Sequence, residues 1–265
     1  EQKELSGILE YSSLSNITRT IKLLCDRQKV IQTLKEIVFN KEFNSYEVKH
    51  VQELVEKHYW IFGEQYNLIT SAEPDFELAL KGMIKAEMGI EEEVHIEHPD
   101  KNKEMDLYMI RQDRQGRVTE NVVVELKRPK IKLGEKELSQ VKKYMRVIKN
   151  TPRFNAGNVK WTFYLVGNEF DKSLYIPGEL ESHKFLGEQH LVHCQDNGLT
   201  KIYVLKWSEI FDDYSKRHDF LMEHLKLEEK LWLETHESAD DAVTAVENNS
   251  ATLPEAIIPK NQKVV

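Results

Sequence analysis

The chain has 265 residues, of which 40% are hydrophobic and 31% charged, with a formal net charge of −8. No apolar run approaches the roughly 18 residues of a membrane span, and the polar, acidic start (Glu1, Lys3, Glu4) has no signal-peptide pattern. Two isolated cysteines, Cys25 and Cys194, exclude a disulfide framework and a four-cysteine zinc site, so a cytoplasmic protein without membrane partners is expected.

Residues 1–58 read as an N-terminal helical region. From Ile17 to Phe39 the apolar residues Ile21, Leu24, Val30, Ile31, Leu34, Ile37 and Val38 recur at helical spacing, with Ser15 or Asn16 able to cap the start. Asn44 and Glu47 have capping-box spacing ahead of Val51, Leu54 and Val55. Glu73-Pro74-Asp75 opens a third helix, buried along Phe76, Leu80, Met83 and Ile84 and stopped by Gly89.

The period then changes. Val94-His95-Ile96 suggests a short strand, and Met105 to Ile110 alternates as a strand. Asp113 to Arg117 is a turn and Val118 to Lys127 a second strand, which makes the pair a hairpin. Leu138 to Lys149 is helical until Pro152, and Trp161 to Val166 is an apolar strand. Thr200 to Leu205 is another strand, and Trp207 to about Leu233 a last helix. This order predicts an α/β or α+β unit around a mixed sheet over residues 59–233. Residues 234–265, acidic and without sustained period, are expected to be a disordered tail.

The strand Asn121-Val-Val-Val-Glu125-Leu-Lys127 carries the chemistry. Alternation sends Val122, Val124 and Leu126 to one face and Val123, Glu125 and Lys127 to the other. So apolar a strand is central, and charges projecting from it need partners or a metal. Asp106 lies nineteen residues before Glu125 on the preceding hairpin strand, where it can lie across from the strand's end. Two carboxylates on adjacent strands suit a hard divalent cation such as Mg2+ or Mn2+. A lysine beside them can orient water and stabilise charge on a phosphate oxygen. By itself a Glu-x-Lys triplet also fits a surface ion pair.

Charge is unevenly distributed. From Lys127 to Lys160 there are eleven Lys/Arg against two acids, a local balance of +9, which leaves −17 on the rest. Arg128, Lys130, Lys132, Lys142, Lys143 and Arg146 form either a phosphate-contacting face for DNA or a solvated helix face. His95 and His98 near Asp100 have poor zinc geometry for a strand-loop segment.

Four stretches carry a family resemblance: Lys57-His-Tyr-Trp-Ile-Phe-Gly-Glu64-Gln-Tyr66, Glu104-Met-Asp106-Leu, Val123-Val-Glu125-Leu-Lys127-Arg-Pro129 and Leu138-Ser-Gln140-Val-Lys-Lys-Tyr144. Over about residues 50–233 the chain resembles the PD-(D/E)XK nuclease superfamily, and more closely the nuclease domain of the Shedu anti-phage defence proteins. The resemblance implies a mixed central sheet flanked by helices and a metal-dependent DNA endonuclease or nickase in antiviral defence, working as a homo-oligomer (dimer or tetramer). It implies Asp106 and Glu125 as metal ligands, Lys127 as catalytic lysine and Gln140 as an auxiliary helix residue. The superfamily often adds a further Glu. Glu64 is favoured on resemblance, with Glu77 and Glu87 open. The Pro that usually precedes the first Asp is absent here, where Glu104-Met105 stands. The alternative is a catalytically silent member that keeps only nucleic-acid or protein binding.

Overall fold

The structure, a computed structural model, describes residues 13–40, 48–71, 75–88, 95–96, 105–113, 117–152 and 159–225. In chain order the elements are α1 (Leu14–Phe39), α2 (Val48–Lys57), a 3-10 turn (Tyr59–Phe62), β1 (Asn67–Ser71), α3 (Phe76–Met88), β2 (Leu107–Gln112) and β3 (Val118–Leu126). There follow β4 (Lys132–Leu133), α4 (Glu135–Asn150), β5 (Lys160–Gly167), β6 (Glu169–Phe170), α5 (Tyr175–His183), β7 (Leu191–Gln195), β8 (Thr200–Lys206) and α6 (Trp207–Leu225).

Six strands form one mixed sheet in the order β1-β2-β3-β5-β8-β7, and β4 and β6 make a small parallel pair. The β1-β2 and β2-β3 ladders are antiparallel, β3-β5-β8 is parallel, and β7 runs antiparallel to β8. Parallel neighbours need a crossover, and α4 supplies the one between β3 and β5. The helix–sheet architecture read from the sequence is the one observed.

Strand alternation produces two cores. On one face Tyr108, Ile110, Val123, Phe163 and Leu165 meet Phe76 of α3, Leu138, Val141, Tyr144 and Ile148 of α4, and Ile176 of α5. On the other, Leu107, Met109, Val122, Val124 and Leu126 meet Ile31 and Leu34 of α1, Leu54 and Val55 of α2, and Trp207 and Phe211 of α6. The N-terminal helices thus form one layer of the sheet's own core. A sheet buried on both faces explains why β3 reads as an almost unbroken apolar run.

Several boundaries differ from the sequence reading. Ser13, extended at φ −76° and ψ 150°, caps α1 by accepting from the Asn16 amide, so the helix begins before Ser15. Asp75 caps α3 by accepting from the Leu78 amide at 2.8 Å. His95 and Ile96 are not in a strand; Ile96 is buried and its amide donates to Glu77 Oε1 at 2.9 Å. The sheet gains two edge strands, β1 and β7, and the short helix α5, which sequence periodicity did not reveal. Each is brief, and α5 contains Pro177 and Gly178, which interrupt any helical pattern. Asn44, Glu47, Pro74, Gly89, Val94, His98, Asp100, residues 114–116 and the 226–265 segment lie outside the described residues. Among the described residues no helix is long and apolar enough to cross a membrane.

The tyrosines packed into these cores have a measurable consequence. Burial holds Tyr144, Tyr164 and Tyr203 well above the ordinary tyrosine value and pushes Tyr214 up to about 12. The unfolded chain gives up these protons near 10.0, where the folded chain keeps them. Above that pH the unfolded state binds fewer protons than the native one, so stability falls as pH rises. Urea melts at increasing pH are expected to lose stability from about pH 10 upward; an unchanged midpoint up to about pH 12 would contradict this packing.

Candidate active site

Glu125 is the last-but-one residue of β3, which lies between β2 and β5 in the sheet. The register pairs Leu107 with Val124 and Tyr108 with Val123, which sets Asp106 opposite Glu125 as the next pair. Residues opposite one another on antiparallel strands share a face. Asp106 and Glu125 therefore project together toward α4, on the face of Tyr108 and Val123. Both are buried, at 8% and 6% exposure. One Asp106 oxygen accepts the Leu126 amide at 2.5 Å, which ties the start of β2 to the end of β3.

Lys127 continues the β3 ladder through its amide, which donates to the Val166 carbonyl at 2.8 Å. Its side chain therefore keeps to the Glu125 face. Its ammonium lies 2.6 Å from Glu125 Oε1 and 2.7 Å from Gln140 Oε1. Gln140 donates from Nε2 to Glu125 Oε1 at 2.8 Å and to the Tyr144 hydroxyl at 2.5 Å, and that hydroxyl donates to Glu125 Oε2 at 2.9 Å. The amide orientation follows from charge: turning Gln140 over would set its oxygen against the carboxylate and its NH2 against the ammonium. Gln140 and Tyr144, four residues apart, share one stripe of α4. The structure thus brings Asp106, Glu125, Lys127 and Gln140 together.

Tyr144 completes the set. Its ring sits in the stripe that sequence periodicity assigned to the core, and its hydroxyl reaches the carboxylate. Burial, then the charge of Glu125, raises its pKa, so the hydroxyl remains a donor. The signal that points to it is its i+4 spacing from Gln140. Tyr144→Phe removes a bond to a buried carboxylate oxygen. The variant is expected to remain folded, lose about 1–2 kcal/mol of stability, and bind divalent metal more weakly; calorimetric metal titration of the two proteins checks it.

Glu64 is not brought to this cluster. It follows the 3-10 turn, and its carboxylate is held by Arg27 of α1 at 3.0 Å and by Arg217 of α6 at 3.1 Å, with His218 Nε2 at 3.4 Å. Those helices cover the opposite face of the sheet. Of the alternatives, Glu77 lies on the correct face. It neighbours Phe76, whose ring meets that of Tyr144 at 5.7 Å, and its Oε1 is 3.2 Å from His95 Nδ1. The side chain of Glu87 lies outside the described residues.

The basic residues divide by position. Lys132 pairs with Glu169 at 2.8 Å, and Lys142 lies 3.8 Å from Glu179. Arg128, Lys130, Lys143 and Arg146 are exposed. At about 100° per residue, Lys142 and Arg146 stand across α4 from Gln140, while Lys143 is about 60° from it. Lys136, exposed and one turn before Gln140, lies on the same stripe and was missed by sequence reasoning.

The chemistry of the donors fits a hard divalent cation. Two buried carboxylates and one ammonium leave a formal charge of −1, and oxygen ligands suit Mg2+ or Mn2+. Among the described residues no three of His, Cys, Asp and Glu gather as a closed metal cage. Asp106 and Glu125 would supply the few protein ligands that Mg2+ needs, since that ion keeps several waters when bound.

Residues 81–165 match the family model of the type I restriction enzyme R protein N terminus (HSDR_N). The matched stretch runs from α3 through β5 and contains Asp106, Glu125, Lys127, Gln140 and Tyr144. The chain therefore carries a restriction-enzyme-related segment, and that segment excludes Glu64 and helices α1, α2 and α6. No curated protein and no solved structure matches the chain.

Proposed function

We propose that this chain is a divalent-metal-dependent DNA endonuclease or nickase of an antiviral defence system. One observation carries the reading: Asp106 and Glu125 share a face on adjacent strands, with Lys127 2.6 Å from Glu125 and braced by Gln140. The restriction-related match over the same residues supports it.

Asp106 and Glu125 would hold Mg2+ or Mn2+, which lowers the pKa of water and polarises a phosphoryl oxygen when bound. Glu77 is the auxiliary carboxylate of this reading, on the correct face of the sheet. Lys127 stabilises charge growing on the phosphate and orients the attacking water. Gln140 holds the ammonium in place, and Tyr144 holds Glu125 in one rotamer. Lys136 and Lys143, on the Gln140 side of α4, contact DNA phosphates together with Arg128 and Lys130. Such contacts give salt-dependent affinity with little sequence preference.

The test is incubation of supercoiled and linear DNA with Mg2+ or Mn2+, with and without EDTA, alongside a thermal melt. Nicking or cleavage that requires metal is expected, as is a metal-dependent rise in melting temperature. Cutting that persists in EDTA would refute the reading. Metal that neither supports cutting nor shifts the melt would do the same.

A further inference from the structure

A second concave site lies on the other face of the sheet. It is a cavity of about 420 Å³, walled by the 3-10 turn, β5, β8 and the start of α6. Tyr164 neighbours Leu165 on β5, and Leu165 pairs with Glu125, so alternation turns Tyr164 away from the Glu125 side. The cavity therefore shares no residue with the Asp106–Glu125–Lys127 cluster.

Three benzene-type rings line it, Phe62, Tyr164 and Tyr203, together with the His190 imidazole. Phe62 and Tyr164 stack with centroids 6.0 Å apart, and Tyr164 and Tyr203 tilt together at 5.7 Å. Both tyrosine hydroxyls are already engaged, Tyr164 with Tyr66 and Tyr203 by donation to Glu188. What these residues present to the cavity is aromatic surface. Around it stand the carboxylates Glu209, Asp212 and Asp213 against the single ammonium of Lys216. Glu209 accepts the Lys206 amide at 2.7 Å and lies 3.5 Å from His190 Nδ1, and Asp213 pairs with Arg217 at 3.0 Å. Asp212 is exposed and makes no ion pair among the described residues.

Aromatic faces attract cations through their quadrupole, and an acidic rim adds Coulomb attraction while repelling phosphate and carboxylate. We propose that this cavity binds an organic cation, a guanidinium or ammonium group on an apolar stem. A cavity this size holds more than a lone ammonium and suits a group that fills it with a stem as well. The same chemistry is offered by a free small molecule and by an arginine side chain of a peptide.

Calorimetric titration of the full chain tests this with agmatine and with a short, blocked arginine peptide, using adenosine monophosphate and inorganic phosphate as anionic controls. Agmatine or the peptide is expected to bind and the anions not to. Binding of both cations identifies the group itself as the ligand, and binding of the peptide alone assigns the site to a protein partner. Asp212→Lys, a change at an exposed position, is expected to weaken cation binding roughly tenfold. Phe62→Leu, with its fold checked by circular dichroism, is expected to weaken it several-fold. No cation binding up to about 10 mM, a millimolar ceiling far above useful affinity, would overturn the proposal. So would tighter binding of the anions, or cation affinity unchanged by Asp212→Lys.

Discussion

Glu125→Gln is expected to reduce metal-dependent cleavage by roughly 10²- to 10³-fold while leaving the fold assembled. The substitution keeps the shape of the side chain and removes the negative charge. Gln140 and Tyr144 retain neighbours to bond, but the cation site loses one of two carboxylates. Stability changes as well. The Glu125 and Lys127 side chains are 8% and 15% exposed, so the variant leaves an ammonium partly buried without its carboxylate. Breaking such a pair from one side costs about 3 kcal/mol. Lys127→Met is expected to abolish activity too, for a different reason: both carboxylates remain, and the ammonium that would stabilise charge growing on the phosphate is gone. The double variant Glu125→Gln/Lys127→Met is expected to be less destabilised than the two single changes added together, because neither charge of the Glu125–Lys127 pair is left without the other. Single-turnover cleavage and urea melts on all four proteins measure both effects. Glu125→Gln cleaving at more than about half the native rate would sink the site assignment, since the loss expected is at least a hundredfold.

Leu34→Ala tests the other large effect. Leu34 of α1 is fully buried in the same cluster as Leu107, Val122 and Val124 of the sheet. Removing it takes away apolar burial and leaves a cavity at the helix–sheet interface, at a cost of about 2–5 kcal/mol. Because that interface is one wall of the sheet's core, helix and sheet signals are expected to melt together, at a lower midpoint. The Glu64 ion cluster strengthens the expectation, since it joins α1 to α6 through Arg27 and Arg217, with Arg27 also lying 4.7 Å over the Trp60 ring. Two separate transitions, with the sheet's midpoint unmoved, would instead make residues 1–58 an independent unit.

The loss of Glu64 from the candidate site shows what family-like sequence can and cannot supply. The stretch around Glu64 lies outside the matched residues 81–165, and its carboxylate is heavily used elsewhere. Its partners, however, are Arg27 and Arg217, residues 37 and 153 positions away in the chain. No local pattern encodes which arginine a carboxylate will meet. Glu77, by contrast, is an open alternative in the sequence, on the helix just before the sheet, and the packing of α3 beside α4, with the Phe76 and Tyr144 rings in contact, puts it on the Glu125 side.

What the sequence alone determined is local and periodic. The two-residue period of β3 placed Glu125 and Lys127 on one face, because a strand's backbone geometry alternates its side chains whatever surrounds it. The helical period of α4 likewise put Gln140 beside the stripe of Val141, Tyr144 and Ile148, and all three of those are buried. The tertiary structure decided what depends on long-range pairing. Asp106 stands opposite Glu125 because the hairpin pairs Leu107 with Val124, and a slip of one residue would have sent the carboxylate to the other face. The edge strands β1 and β7 exist because a neighbouring strand offers hydrogen bonds, which five-residue segments do not announce by themselves. The N-terminal helices lie on the sheet because both of its faces are apolar, and burying the second face requires that layer.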